Sequence, residues 1–119
     1  MWSTGREYTA EAKIKFRTIV NDKDGYHAED VAVEVFDRLM DRFNSDYVTF
    51  TKGADVEHRP CEQGFIVEAT YYATLTFTAY TDDDADNIAD QLLDIELPED
   101  VKMHCCIESW ERGQEAWAV

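Results

Sequence analysis

Residues 65–80 read FIVEATYYATLTFTAY, and this alternation decides the fold. Phe65, Val67, Ala69, Tyr71, Ala73, Leu75, Phe77 and Ala79 fall on one side. Glu68, Thr70, Tyr72, Thr74, Thr76, Thr78 and Tyr80 fall on the other. A period of two over so long a run specifies a strand with one buried face and one wet face. Residues 8–20 repeat the pattern: Tyr8, Ala10, Ala12, Ile14 and Phe16 oppose Thr9, Glu11, Lys13, Lys15 and Arg17. Two such strands require a layer to cover one side of their sheet.

The covering layer is legible between and after them. Past the turn-rich Asn21–Gly25, the apolar residues Ala28, Ala32, Val35, Phe36, Leu39, Met40 and Phe43 share a helical stripe, which predicts a helix over 27–44. Residues 47–58 are β-rich but interrupted at Lys52, Gly53, Ala54 and Asp55, which predicts a bulge or break, and 60–64 form a turn. Thr81 or Asp82 caps a second helix whose stripe is Ala85, Ile88, Ala89, Leu92 and Leu93, with Pro98 beyond its end. From Val101 to Trp110 the alternation returns, with Val101, Met103, Cys105 and Ile107 inward. The order βαββαβ resembles the ferredoxin-like arrangement, an α+β fold with a four-stranded antiparallel sheet and both helices on one face. Its implied strand order is fourth, first, third, second. One domain is expected over 1–119, with a core of about 7–112 and loose ends at 1–6 and 113–119. That arrangement hosts unrelated activities and implies no single one.

Composition narrows the function. Twenty-six acidic against eleven basic residues in 119 give a formal net charge of -15, which disfavours direct binding to nucleic acid or anionic membrane and favours basic partners. With 45% hydrophobic and 13% aromatic residues the chain has the apolar surface to fold, unlike a disordered acidic tail. The first residues lack a secretory pattern and no apolar run approaches a membrane span, so a cytoplasmic location is expected. An odd set of cysteines, Cys61, Cys105 and Cys106, argues for reduced thiols.

Placed on the expected fold, the charges separate. The helices carry Glu29, Asp30, Glu34, Asp37 and Asp41, then Asp82, Asp83, Asp84, Asp86, Asp90, Asp94 and Glu96. Acids at the start of the second helix complement its dipole, whereas Asp90, Asp94 and Glu96 lie toward the unfavourable end. The acidic set Asp83, Asp86, Asp90, Asp94 and Glu96 is therefore the candidate partner-binding face. A solvated surface is the plainer explanation of such a run. On the uncovered sheet face, Lys13, Lys15, Arg17, Tyr72 and Trp110, with Lys102 and His104, form a basic and aromatic candidate surface for a partner or a second copy. The segment 71–77 lacks the glycines and basic residue of an RNA-recognition motif, so RNA is not an expected ligand.

No chemistry-bearing constellation survives inspection. His58, Cys61, His104 and Cys106 have zinc-ligand chemistry, but the second and fourth strands lie at opposite sheet edges, roughly 14 Å apart at about 4.8 Å per strand. Asp22, Asp24 and Gly25 echo a calcium loop, yet the register that aligns Gly25 places Val20 and Val31 where carboxylates are needed. Cys61 beside His58 and Arg59 is opposed by Glu62 and lacks an oxyanion-hole glycine loop. No catalytic residue, cofactor or metal is expected. The expectation is a small acidic, non-enzymatic binding protein whose carboxylates occupy a basic surface, for instance that of a nucleic-acid-binding protein. In size and acidity the chain is similar to phage and mobile-element inhibitors of restriction or CRISPR systems, a likeness of composition without a shared motif. The alternative is a structural or regulatory module that forms a homodimer or larger oligomer through its open sheet face.

Overall fold

The computed structural model describes the backbone of residues 4–117 and the side chains of residues 5–51 and 55–113. Along the chain run β1 (Thr4–Val20), α1 (Gly25–Met40), β2 (Val48–Cys61), β3 (Gly64–Ala79), α2 (Asp82–Leu92) and β4 (Val101–Trp117). The strands form one antiparallel sheet in the order β2-β3-β1-β4.

The centre of the sheet is the β1–β3 ladder, which pairs without a shift from Arg6↔Ala79 to Val20↔Phe65. Because neither strand slips, their alternations stay in phase, and one face collects Tyr8, Ala10, Ala12, Ile14 and Phe16 with Val67, Ala69, Tyr71, Ala73, Leu75 and Phe77, all buried. The helices bury Ala28, Ala32, Phe36 and Leu39 from α1 and Ala85 and Ala89 from α2. Alanines on both layers let the backbones approach, and aromatic rings fill the remaining space. Phe16 stacks on Phe36 at 5.3 Å between centroids and meets the edge of Tyr71 at 5.7 Å.

Local signals set the helix ends. Asp24 caps α1 by accepting from the Tyr26 amide at 3.0 Å, so the helix starts two residues before the expected His27 and ends at Met40 rather than 44. Phe43 stays in the core even so, held by a turn in which its amide donates to the Met40 carbonyl. Thr81 caps α2, its hydroxyl accepting from the Asp84 amide at 3.0 Å.

The sheet departs from the expected four-stranded ferredoxin-like βαββαβ arrangement. β2 pairs as two segments, residues 48–50 and 55–61, separated by two register shifts around Lys52. Counted by segment, one sheet of five antiparallel strands carries two helices, in the chain order β-α-β-β-β-α-β. The cause is local: from Phe50↔Ala73 to Asp55↔Thr70, β2 advances five residues while β3 advances three. The glycine-containing stretch 52–55 takes up the excess. β4 also shifts twice against β1, between Arg6 and Tyr8 and between Glu11 and Ala12. The ends expected to be loose are paired strand from Thr4↔Trp117 to Arg6↔Glu115, while residues 1–3 and 118–119 lie outside the described residues.

Two glycines are required where they stand. Gly64 closes the β2–β3 hairpin with φ +132°, and a Cβ there would lie 2.3 Å from the Val20 carbonyl oxygen. Gly25 opens α1 directly beneath His58, whose ring would lie 2.3 Å from an added Cβ. His58 is held there by contacts with Glu29 of α1 and by edge-on packing against Tyr26 and Phe65. Gly25→Ala should lower stability by about 1–3 kcal/mol, the usual cost of overpacking. In a His58→Ala background the same change should cost much less. Thermal or urea unfolding of the four variants measures this, and equal costs in both backgrounds would disprove the contact.

The entry to α1 also contains a titrating pair. His27 contacts Asp22, and this hydrogen bond raises the imidazole above its ordinary value. Asp22 lies below the usual carboxylate range, chiefly because it accepts from the Asp24 amide and then from His27. The charged pair is thus lost as pH falls through the depressed Asp22 value and as pH rises through the elevated His27 value. An NMR titration of His27 should give a midpoint above about 6.5, and Asp22→Asn should bring it back toward that ordinary value. An unchanged midpoint in the variant would contradict the pairing.

Candidate functional site

The outer side of the helix layer is where the sequence placed its acidic candidates, and Asp83, Asp86, Asp90, Asp94 and Glu96 are all exposed there. Helical spacing puts Asp83 and Asp90 on the side of α2 away from Ala85 and Ala89, with Asp86 on the flank between that side and the apolar stripe. Among the described residues, none of Asp83, Asp86, Asp90 and Asp94 has a side-chain hydrogen bond or ion pair. α2 stops at Leu92, with Leu93 as its C-cap, so Asp94 and Glu96 leave the helix instead of continuing its stripe. Arg42, just past α1, donates to the Glu96 carbonyl at 2.6 Å and ties the segment after α2 to the end of α1. The last turn of α2 contains no basic residue. α1 has one, Arg38, and its guanidinium pairs with Glu34 one turn earlier.

The opposite sheet face holds Lys13, Lys15, Arg17 and Tyr72 as expected, since all four belong to the unshifted β1–β3 ladder. The adjacent strand β4 adds Lys102 beside Arg17 and His104 beside Lys15. The cations converge on one acid. Arg17 donates to the same oxygen of Glu68 through Nε at 2.9 Å and Nη2 at 2.7 Å. Lys15 and Arg59 approach Glu68 at 3.9 and 3.6 Å. The Arg17 hydrogen bonds, opposed in part by desolvation, hold the Glu68 carboxyl below its ordinary range. Sequence reading did not single out Glu68 or Arg59. Strand parity alone places Glu68 on this face, but Arg59 reaches it only through the pairing of β2 across the bulge.

Trp110 is not on that face. Ser109 pairs with Glu11 and Ile107 with Ala12, so Glu108 is an extra residue in β4 and the alternation inverts beyond it. Trp110 thereby pairs with Ala10 and turns to the helix side, meeting Tyr8 and Phe77 edge-on at 6.2 Å in each case. It becomes one wall of a cleft of about 430 Å³ lined by Tyr8, Asp82, Ala85, Asp86, Trp110 and Arg112. The Tyr8 hydroxyl donates to Asp82 at 2.8 Å, and Arg112 pairs with the same Asp82 oxygen at 3.4 Å. The hydrogen bond to Asp82 raises the Tyr8 hydroxyl above its ordinary value, and desolvation adds to the rise. The spacing of three between Ile107 and Trp110 was the one available sign that the alternation breaks between them.

The remaining candidates do not assemble. His58 and Cys61 lie on β2, and His104 and Cys106 on β4, at opposite edges of the sheet. No group of three or more potential metal ligands occurs among the described residues. The three cysteines are unpaired: Cys61 and Cys105 are partly buried and Cys106 is exposed. Burial pushes the Cys105 thiol up to about 11. No helix among the described residues is long and apolar enough to cross a membrane. Comparison of the chain with known protein families, curated proteins and solved structures yields no match.

Thiol chemistry offers a direct check on β4. Brief alkylation with iodoacetamide at neutral pH, read by peptide mass spectrometry, should modify Cys106 well before Cys105, because the nucleophile is the thiolate and access to it is needed. Equal labelling of the two neighbours would show that β4 does not keep Cys105 against the helices.

Proposed function

We propose that this protein is a non-enzymatic binding module that uses its acidic helix layer to engage a basic surface on another protein. The observation carrying this reading is the run of exposed carboxylates along and beyond α2, Asp83, Asp86, Asp90 and Asp94, none with an ion-pair partner among the described residues. Lys15, Arg17 and Arg59 are instead gathered on the opposite side of the sheet around Glu68. Like charges at Asp86 and Asp90 destabilise α2 by a few tenths of a kcal/mol, a cost that a cationic partner would reverse. Such a surface attracts its partner at long range and loses it as salt rises.

The three free thiols suit a reducing, cytoplasmic setting for this role. A basic surface of that kind is typical of proteins that bind nucleic acid, where ordered carboxylates would occupy the lysines and arginines that otherwise hold phosphates. The variant Asp90→Lys, Asp94→Lys, Glu96→Lys tests the reading. Its folding should be close to that of the parent, because all three side chains are exposed. Capture of a basic partner from lysate of the source cell should succeed with the parent at low salt, fail at high salt, and fail with the variant at either. Equal capture by the variant would reduce the acidic face to solvation.

A further inference from the structure

The Tyr8–Trp110 cleft combines three features that a merely solvated surface does not need. Its walls are aromatic, and Trp110, packed from behind by Tyr8 and Phe77, remains 41% exposed. Its rim carries two carboxylates, Asp82 and Asp86, against one guanidinium, Arg112. Asp82 is already engaged by the Tyr8 hydroxyl and by Arg112, whereas Asp86 makes no side-chain hydrogen bond or ion pair among the described residues. The volume, about 430 Å³, lies within the roughly 300–1,000 Å³ typical of pockets that enclose a ligand.

An aromatic face next to an unpaired carboxylate is the chemistry that recognises an organic cation, and a flat guanidinium satisfies both at once by stacking on the ring and pairing at its edge. An anion would face the Asp82 and Asp86 carboxylates as well as Arg112, which is already paired with Asp82. A purely apolar group would leave the Asp86 carboxylate facing it without compensation. The cleft also opens at the start of α2, beside the acidic stripe on which Asp83 and Asp90 lie, so one molecule can engage both.

We infer that the Tyr8–Trp110 cleft receives an arginine side chain of the basic partner, its guanidinium stacked on Trp110 and paired with Asp86. This inference rests on the acidic-face reading above and adds an anchor to it: the carboxylates of α2 steer the partner, and the cleft selects one residue of it. Aromatic residues that pack a cation in a recess are the usual energetic centres of such contacts, with peripheral charges acting mainly on association.

The test uses a single side chain in place of the partner. N-acetyl-arginine amide is titrated into the isotope-labelled protein while the indole NH of Trp110, assigned with Trp110→Phe, is followed by NMR. A saturable shift of that signal is expected, together with little or no response to N-acetyl-citrulline amide, which keeps the shape and lacks the charge. Asp86→Asn should weaken the arginine response about two- to five-fold, the contribution of one exposed ion pair. Absence of a Trp110 shift overturns the inference. So does an equal response to citrulline, or an arginine response unchanged in Asp86→Asn. Since the probe carries no basic surface, failure here removes the anchor alone, whereas the acidic-face reading is decided separately by the triple reversal.

Discussion

The β1–β3 ladder is the constraint from which the other arrangements follow. Fifteen consecutive pairs, from Arg6↔Ala79 to Val20↔Phe65, leave no place where one strand can slip against the other. A one-residue slip of β1 would turn Ile14 and Phe16 to solvent and bring Lys13 and Lys15 beneath the helices, and a slip of β3 would do the same with Leu75, Phe77 and Glu68. The burial of Phe16 against Phe36 and Tyr71 therefore holds the register, and the register in turn assigns Lys13, Lys15, Arg17 and Glu68 to the open face.

At the edges the requirement relaxes, and both edge strands take up extra residues. In β2 the two shifts add two residues, an even number, so Val56 and His58 face the same way as Val48 and Phe50. His58 consequently arrives against Gly25 and Glu29 at the start of α1. In β4 the shift at Glu108 adds one residue, an odd number, and the strand is inverted from Ser109 to Arg112, until the second shift adds another residue. That inversion lays Trp110 over Tyr8 and creates the aromatic cleft. Such irregularities also make poor templates for another strand, which protects an otherwise open sheet from edge-to-edge association.

Charge follows the same geometry. Most acids of α1 and α2 occupy the side of each helix that its apolar stripe leaves free, and Lys13, Lys15 and Arg17 of β1 occupy the face that its buried stripe leaves free. A net charge of -15 is thus divided between a helix layer rich in unpaired carboxylates and a sheet face where Lys15, Arg17 and Arg59 share Glu68. Exposed pairs of this kind contribute little to stability individually, so the distribution bears on what approaches the molecule more than on what holds it together.

The strands β1 and β3, the stripes of both helices, a cap at Thr81 or Asp82 and the sidedness of Lys13, Lys15, Arg17 and Tyr72 were legible in the sequence by itself, because each depends on a period or a cap that acts between near neighbours. The interruption near Lys52 was also legible, though not its effect on strand number. Trp110 was misread, and Glu68 and Arg59 were not recognised as a centre, because their positions depend on how many residues one strand spends opposite another. That count is a property of pairing between distant segments, and it is settled only when the helices, the central ladder and the two edges compete for the same core. Local alternation therefore determined which residues are inside along an unbroken strand, and the tertiary structure alone decided the side on which a residue lies once a bulge has intervened.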